Sequence, residues 1–241
     1  MAAMLRGTEA PVLLSARRPK TLDEMLERRL PELREIGGAG LQARYRDKVQ
    51  AVANAAQAAG LDDTLARAVA QYYYKLLAVK DEWEVARLYS KPSFKAALAE
   101  AFEGTPNLTF HFGAWPFGDI DARTGKAVKG PVNGKVAMRF FRVMNGLRFL
   151  RGTVFDPFRN TDEVKLATQL LAEYEADLAL VVALLGKGQP SPAQCEAAEA
   201  LLALPEHIRG YGHVRERHAR EVAPKREKLR AALRAHDAAA A

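Results

Sequence analysis

Histidine and cysteine carry most of the chemistry open to this sequence, and their spacing decides how much of it is usable. His207-Ile-Arg-Gly-Tyr-Gly-His213, with His218 beyond it, is the best candidate for metal ligation or proton transfer. On a helix His213 and His218, five residues apart, point about 140° away from each other, and no acidic ligand is placed to join them. The segment therefore reads as a capped or solvated turn. His111 stands between Phe110 and Phe112 in strand-like sequence and reads as a structural histidine. Cys195 is the only cysteine, which excludes an internal disulfide, a cysteine-ligated iron–sulfur cluster and the usual zinc sites within the chain. It reads as a small packed side chain. Phosphate-binding loops are missing too: neither Gly134-Lys135-Val136 nor Gly186-Lys187-Gly188 has the upstream glycine and following hydroxyl of a P-loop. No Gly-x-Gly-x-x-Gly follows a strand and opens a helix. Tyr72-Tyr73-Tyr74 reads as core on one side and surface on the other.

Charge is the more informative chemistry. From Arg123 to Phe155 there are eight bases (Arg123, Lys126, Lys129, Lys135, Arg139, Arg142, Arg148 and Arg151) and no acid. Arg215 to Arg234 holds eight bases against three acids, so at +7 overall the remainder of the chain is net acidic. A face under no electrostatic demand normally mixes its signs to limit self-repulsion. The first run therefore reads either as a docking surface for an acidic partner or neighbouring subunit or as a solvated basic face of a helix and hairpin. Nucleic acid is the rival polyanion, reached through phosphate contacts, but no nucleic-acid-binding motif accompanies the basicity.

The elements that must position these residues are mostly helical. With 49% hydrophobic and 27% charged residues in 241, the composition is that of an ordinary globular chain. No apolar run approaches the roughly 18 to 20 residues of a membrane span, and the first twenty residues lack a signal-peptide core. A cytoplasmic protein without a membrane partner is expected. Thr21-Leu-Asp-Glu24 is a capping box opening a helix to about Glu35, stopped by Gly37-Gly38. A second helix spans about Leu41 to Ala59. Asp62 or Asp63 caps a third, with Leu65, Val69, Tyr72 and Leu76 on one face and a break near Lys80-Asp81 before Trp83 to Tyr89. Pro92-Ser93 opens a short helix ending at Gly104.

Asn107 to Phe112 reads as a strand, and Lys126 to Lys129, across a long connection containing Trp115 and Phe117, as its partner. Helical spacing resumes over Gly134 to Leu147, where Val136, Phe140, Val143 and Leu147 make an apolar stripe taken to face the core. Lys135, Arg139 and Arg142 fall about 100° away on the neighbouring face. Asn160 or Thr161 caps the longest helix, with Leu170, Tyr174, Leu178, Val181 and Leu185 on one face. Ser191-Pro192 starts the next. The last runs from about His213, kinked or restarted at Pro224. The expected fold is mainly α, a bundle of about seven to nine helices with one small β-hairpin near residues 107–131. It forms a single domain over 21–236, between a flexible tail at 1–20 and a disordered one at 237–241.

Tyr73-Tyr-Lys-Leu-Leu-Ala-Val-Lys-Asp-Glu-Trp-Glu-Val-Ala-Arg-Leu-Tyr89 resembles the signature of the C-terminal domain of indolepyruvate ferredoxin oxidoreductases, itself of unknown function. Three further blocks follow in the family's order: Thr109 to Phe112, Leu150 to Phe158, and Leu204 to Val214. The resemblance covers about residues 21 to 220, departing from the family's pattern at Gly113-Ala114-Trp115-Pro116 and Val132-Asn133-Gly134.

That family oxidatively decarboxylates arylpyruvates with coenzyme A and passes electrons to ferredoxin. The resemblance places thiamine diphosphate and the iron–sulfur clusters in partner chains or domains, since this chain has neither a Gly-Asp-Gly motif nor a cysteine cluster. It implies an accessory, non-catalytic part, inactive alone, whose partners are the catalytic domains or subunits and ferredoxin. No catalytic, cofactor or metal residue is assigned. The docking residues are Lys135, Arg139, Arg142, Arg148 and Arg151, with Arg151 alternatively pairing with Asp156. Lys80, Asp81, Glu82, Arg87, His111, Asp156, Arg209 and His213 are family-motif positions of unassigned role. The alternative is a stand-alone basic module for nucleic acid or another polyanion.

Overall fold

A computed structural model describes residues 21–104, 106–112, 119–120, 127–128 and 130–235. The expected tails and the aromatic connection with Trp115 and Phe117 lie outside the described residues. So do the side chains of Arg123, Lys126 and Lys129. The chain is mainly α with a small antiparallel β element. The domain read over 21–236 resolves into two compact units, one formed by residues up to 78 and from 169 on, the other by residues 79–168.

In the first unit, Thr21 and Glu24 close the capping box that opens α1 (Leu22–Ala58). The break expected at the glycine pair is there: Gly38 adopts φ 77° and ψ −171°, a region essentially reserved for glycine. α2 (Thr64–Leu77) begins where the Asp62 carboxylate accepts the Thr64 N–H at 3.0 Å. It packs on α1 and on α7 (Pro192–Ala203), which in turn packs on α8 (His213–Ala235). Ser191 and Gln194 form a second capping box before α7. α6 (Asp162–Leu185), capped by Thr161, has its first turns in residues of the other unit and from Gln169 on buries the face of Leu170, Tyr174, Leu178, Val181 and Leu185. α8 is one helix with Pro224 inside it, not a restarted one. Three tyrosines from three helices form the centre, Tyr45 on Tyr73 at 6.1 Å and Tyr73 on Tyr174 at 5.9 Å, near-parallel in both pairs.

The second unit begins with α3 (Glu82–Ser90), capped by Asp81, and α4 (Pro92–Ala101), which ends one turn before Gly104. β1 (Thr109–Phe112) puts Phe110 and Phe112 on the inner face and Thr109 and His111 on the outer, the period-2 pattern of a half-buried strand. The expected return strand at Lys126–Lys129 is not its partner. β4 (Gly130–Asn133) pairs with β1, while β2 (Asp119–Ile120) and β3 (Ala127–Val128) form a second short ladder. Pro131 opposes His111 in a two-stranded sheet, where an edge position tolerates the missing N–H.

α5 (Gly134–Gly146) starts so close to β1 that a Cβ on Gly134 would lie 2.6 Å from the Leu108 carbonyl oxygen. Its buried residues are Gly134, Ala137, Phe141 and Met144. That corrects the expected stripe. Val136, Val143 and Leu147 face solvent, and Phe140 is half-buried. Phe141, Met144, Trp83, Ala86 and Phe158 make the core, with Tyr89 stacked on Phe141 at 5.0 Å.

Candidate functional site

The motif positions sort into two self-contained locks and a few exposed side chains. In the second unit, both Asp156 carboxylate oxygens are occupied: Oδ1 accepts from Trp83 Nε1 at 3.1 Å and from the Phe158 N–H at 2.9 Å, and Oδ2 from the Gly152 N–H at 2.7 Å. Arg151 does not reach Asp156. Its guanidinium pairs with Asp81 at 2.7 Å, so the same aspartate caps α3 and anchors the 150–158 loop. Burial holds the Asp81 carboxyl above its usual range against the pull of Arg151, and burial likewise raises that of Glu82. Arg87 is buried in a two-pronged pair with Glu84, at 2.7 and 2.6 Å. Glu84 was not singled out in the sequence, although its spacing three residues before Arg87 is that of a helical ion pair. Lys80 is exposed.

The first unit joins the first and last motif blocks. Lys75 Nζ donates to the carbonyls of Pro205 at 2.5 Å and Ile208 at 3.1 Å, and the Tyr72 hydroxyl donates to Glu206 at 2.6 Å. Arg209 folds back onto Glu206, with Nε 2.9 Å from its carbonyl oxygen. His218 Nδ1 lies 2.8 Å from the Arg209 carbonyl, which can only accept, so that nitrogen carries the proton. His213, first residue of α8, is exposed, as is His111. Among the described residues no group of three His, Cys, Asp or Glu side chains could hold a metal ion. The Lys75, Tyr72 and Arg151 contacts tie distant parts of the sequence together, whereas the Arg87–Glu84 and Arg209–Glu206 contacts are local to their own segments.

Tyr73 donates to Glu175, which Arg44 also grips through two bonds of 2.8 and 2.9 Å. Burial opposes ionisation of Glu175, but the Arg44 and Tyr73 hydrogen bonds outweigh it and hold the carboxyl below its usual range. Burial pushes up the hydroxyls of Tyr45, Tyr73 and Tyr174, and, together with Glu206, that of Tyr72 to about 12. A tyrosine raised in the folded state favours folding fully below its ordinary value near 10, and that stability is lost as pH rises through the folded value. The phenolate absorbance of these four should therefore appear together with loss of helical circular dichroism, above pH about 10, rather than before it. Full ionisation with the helix signal intact would contradict the packing described.

The outward chemistry is on α5. Lys135, Arg139 and Arg142 are all exposed on one face, and Arg148 is exposed just beyond the helix. None of the four pairs with an acidic side chain among the described residues. Arg151, held by Asp81, is not part of a free patch. Beside the basic stripe run Val136, Val143 and Leu147, and the following loop exposes Phe149, Val154 and Phe155. Sequence reasoning found the bases and missed that the apolar stripe accompanies them on the surface.

Fold and site together define a mainly helical protein whose motif residues lock its own framework and whose α5 face is basic and apolar. The chain belongs to DUF6537, a family of unknown function, which matches residues 22–228. No curated protein and no solved structure matches the chain. No helix among the described residues is long and apolar enough to cross a membrane.

Proposed function

We propose that the chain is an accessory, non-catalytic part of an arylpyruvate:ferredoxin oxidoreductase. It works in the cytoplasm by docking an acidic partner, either ferredoxin or an acidic face of the catalytic subunits. The observation that carries the reading is the stripe of Lys135, Arg139 and Arg142, exposed on α5 with no acid beside it from Gly130 to Phe155. Four sequence blocks resembling that enzyme's C-terminal domain support it. Such a stripe raises the encounter rate with an anionic protein and sets its orientation, more than it adds raw affinity.

The isolated chain, given indolepyruvate, coenzyme A and a viologen acceptor, should show no turnover. Turnover without other subunits would refute the accessory role. Reversing Lys135, Arg139 and Arg142 to glutamate should leave the helical circular dichroism unchanged, since all three side chains are exposed. In the assembled enzyme the reversal should slow ferredoxin reduction about tenfold or more at low ionic strength and much less near physiological salt. If the stripe serves assembly, the variant instead fails to co-purify with the subunits. A variant that assembles and reduces ferredoxin normally at low salt would remove the reading.

A further inference from the structure

We propose that the partner docks through an acidic amphipathic helix, its apolar side chains seated on Val136, Val143, Leu147 and the loop residues Phe149, Val154 and Phe155. Its carboxylates would then face Lys135, Arg139 and Arg142. This rests on the docking role just proposed and names the chemistry of the partner.

Two observations carry it. Phe149, Val154 and Phe155 are 70%, 75% and 76% exposed, yet the loop bearing them is held by several side-chain contacts. Gly152 and Phe158 donate to Asp156, Arg151 pairs with Asp81, and the Thr153 hydroxyl donates to the Leu150 carbonyl at 2.6 Å. Large apolar groups held outward on a pinned loop mark a contact surface rather than a frayed one. The second observation is the pairing of stripes. Val136, Val143 and Leu147 recur at i, i+7 and i+11 and run about 16 Å along the helix, directly beside Arg142, Lys135 and Arg139. An apolar line flanked by a cationic line on one side fits a partner helix with leucine-like residues on one face and carboxylates on the adjoining one.

The alternatives fit less well. A second copy meeting face to face would set the same cations against each other. A single-stranded nucleic acid would use the two phenylalanines for stacking but has nothing to place on four aliphatic side chains.

The test uses the full chain and two fluorescein-labelled peptides of about four helical turns. One carries glutamate and leucine on adjoining faces, and the other has serine for every leucine. The leucine peptide should bind at least about tenfold more tightly in anisotropy titrations near physiological salt. Phe149→Ser with Phe155→Ser should erase that difference without lowering the thermal midpoint, and Val136→Ser with Val143→Ser serves if that pair fails to fold. Equal affinity for the two peptides, or an unchanged difference in a folded variant, would overturn the proposal. So would tighter binding to phosphatidylserine vesicles or a single-stranded oligonucleotide, lost in the same variants. If the peptide results hold but the oxidoreductase subunits do not associate, the surface stands and the accessory reading falls. If those subunits bind the Phe149/Phe155 variant normally, the accessory reading stands and this surface is not its contact.

Discussion

Asp156→Ala is expected to cost the second unit about 3–5 kcal/mol, because each buried donor left without an acceptor costs about 1–3 kcal/mol. Three donors lose theirs: the buried Trp83 indole and Phe158 N–H, and the part-buried N–H of Gly152. The change also loosens an edge-to-face contact, since Trp83 and Phe158 meet at 5.6 Å with their planes 85° apart. Urea unfolding followed by tryptophan fluorescence reads the loss directly. Asp156→Asn, which keeps one acceptor oxygen, should fall between the wild type and the alanine variant. An alanine variant with an unchanged midpoint would mean that the carboxylate does not organise this loop.

Glu84→Ala should be nearly as damaging, again about 3–5 kcal/mol, for a different reason: it strips a carboxylate from a guanidinium that stays buried. Both side chains of the pair are at most 7% exposed. The double change Glu84→Leu with Arg87→Leu should recover much of the loss, since well-packed apolar residues often replace a buried ion pair at little cost. Thermal melts of the two variants decide it. A double variant as unstable as Glu84→Ala would show that Arg87 matters through its other contacts rather than through this pair.

The parts of the fold that were legible in the sequence are those governed by local chemistry. Thr21 with Glu24, Ser191-Pro192 and the Gly37-Gly38 pair act on their own backbone within a turn, so their meaning travels with the residues. The face of α6 was legible because Leu170, Tyr174, Leu178, Val181 and Leu185 fall within about 80° of one another around the helix. α5 was misread because it has two apolar stripes, about 100° apart, and residue type favoured the wrong one. Val136, Val143 and Leu147 look like core, whereas the true buried line includes Ala137, which is small enough to let the helix approach its neighbours closely. The β4 strand escaped for a related reason: Gly130-Pro131 lacks the β-branched character by which strands are recognised, and the partner was sought in the sequence just before it. At the candidate site the cations were legible from charge alone. The link from Arg151 to Asp81 joins residues seventy apart, and no local rule points to it.

The bend at Gly38 has a consequence in stereochemistry. Its φ of 77° and ψ of −171° are the mirror image of an ordinary extended conformation, and a Cβ built there meets nothing within 4 Å. The obstacle to a side chain is therefore handedness, not room. An L-alanine must either strain the backbone or straighten the chain between the two halves of α1. A D-alanine introduced by chemical ligation would find φ and ψ already where its own chirality prefers them. It would also narrow the unfolded chain's freedom at that residue, so a mirror-image residue is the one substitution expected to strengthen this corner of the protein.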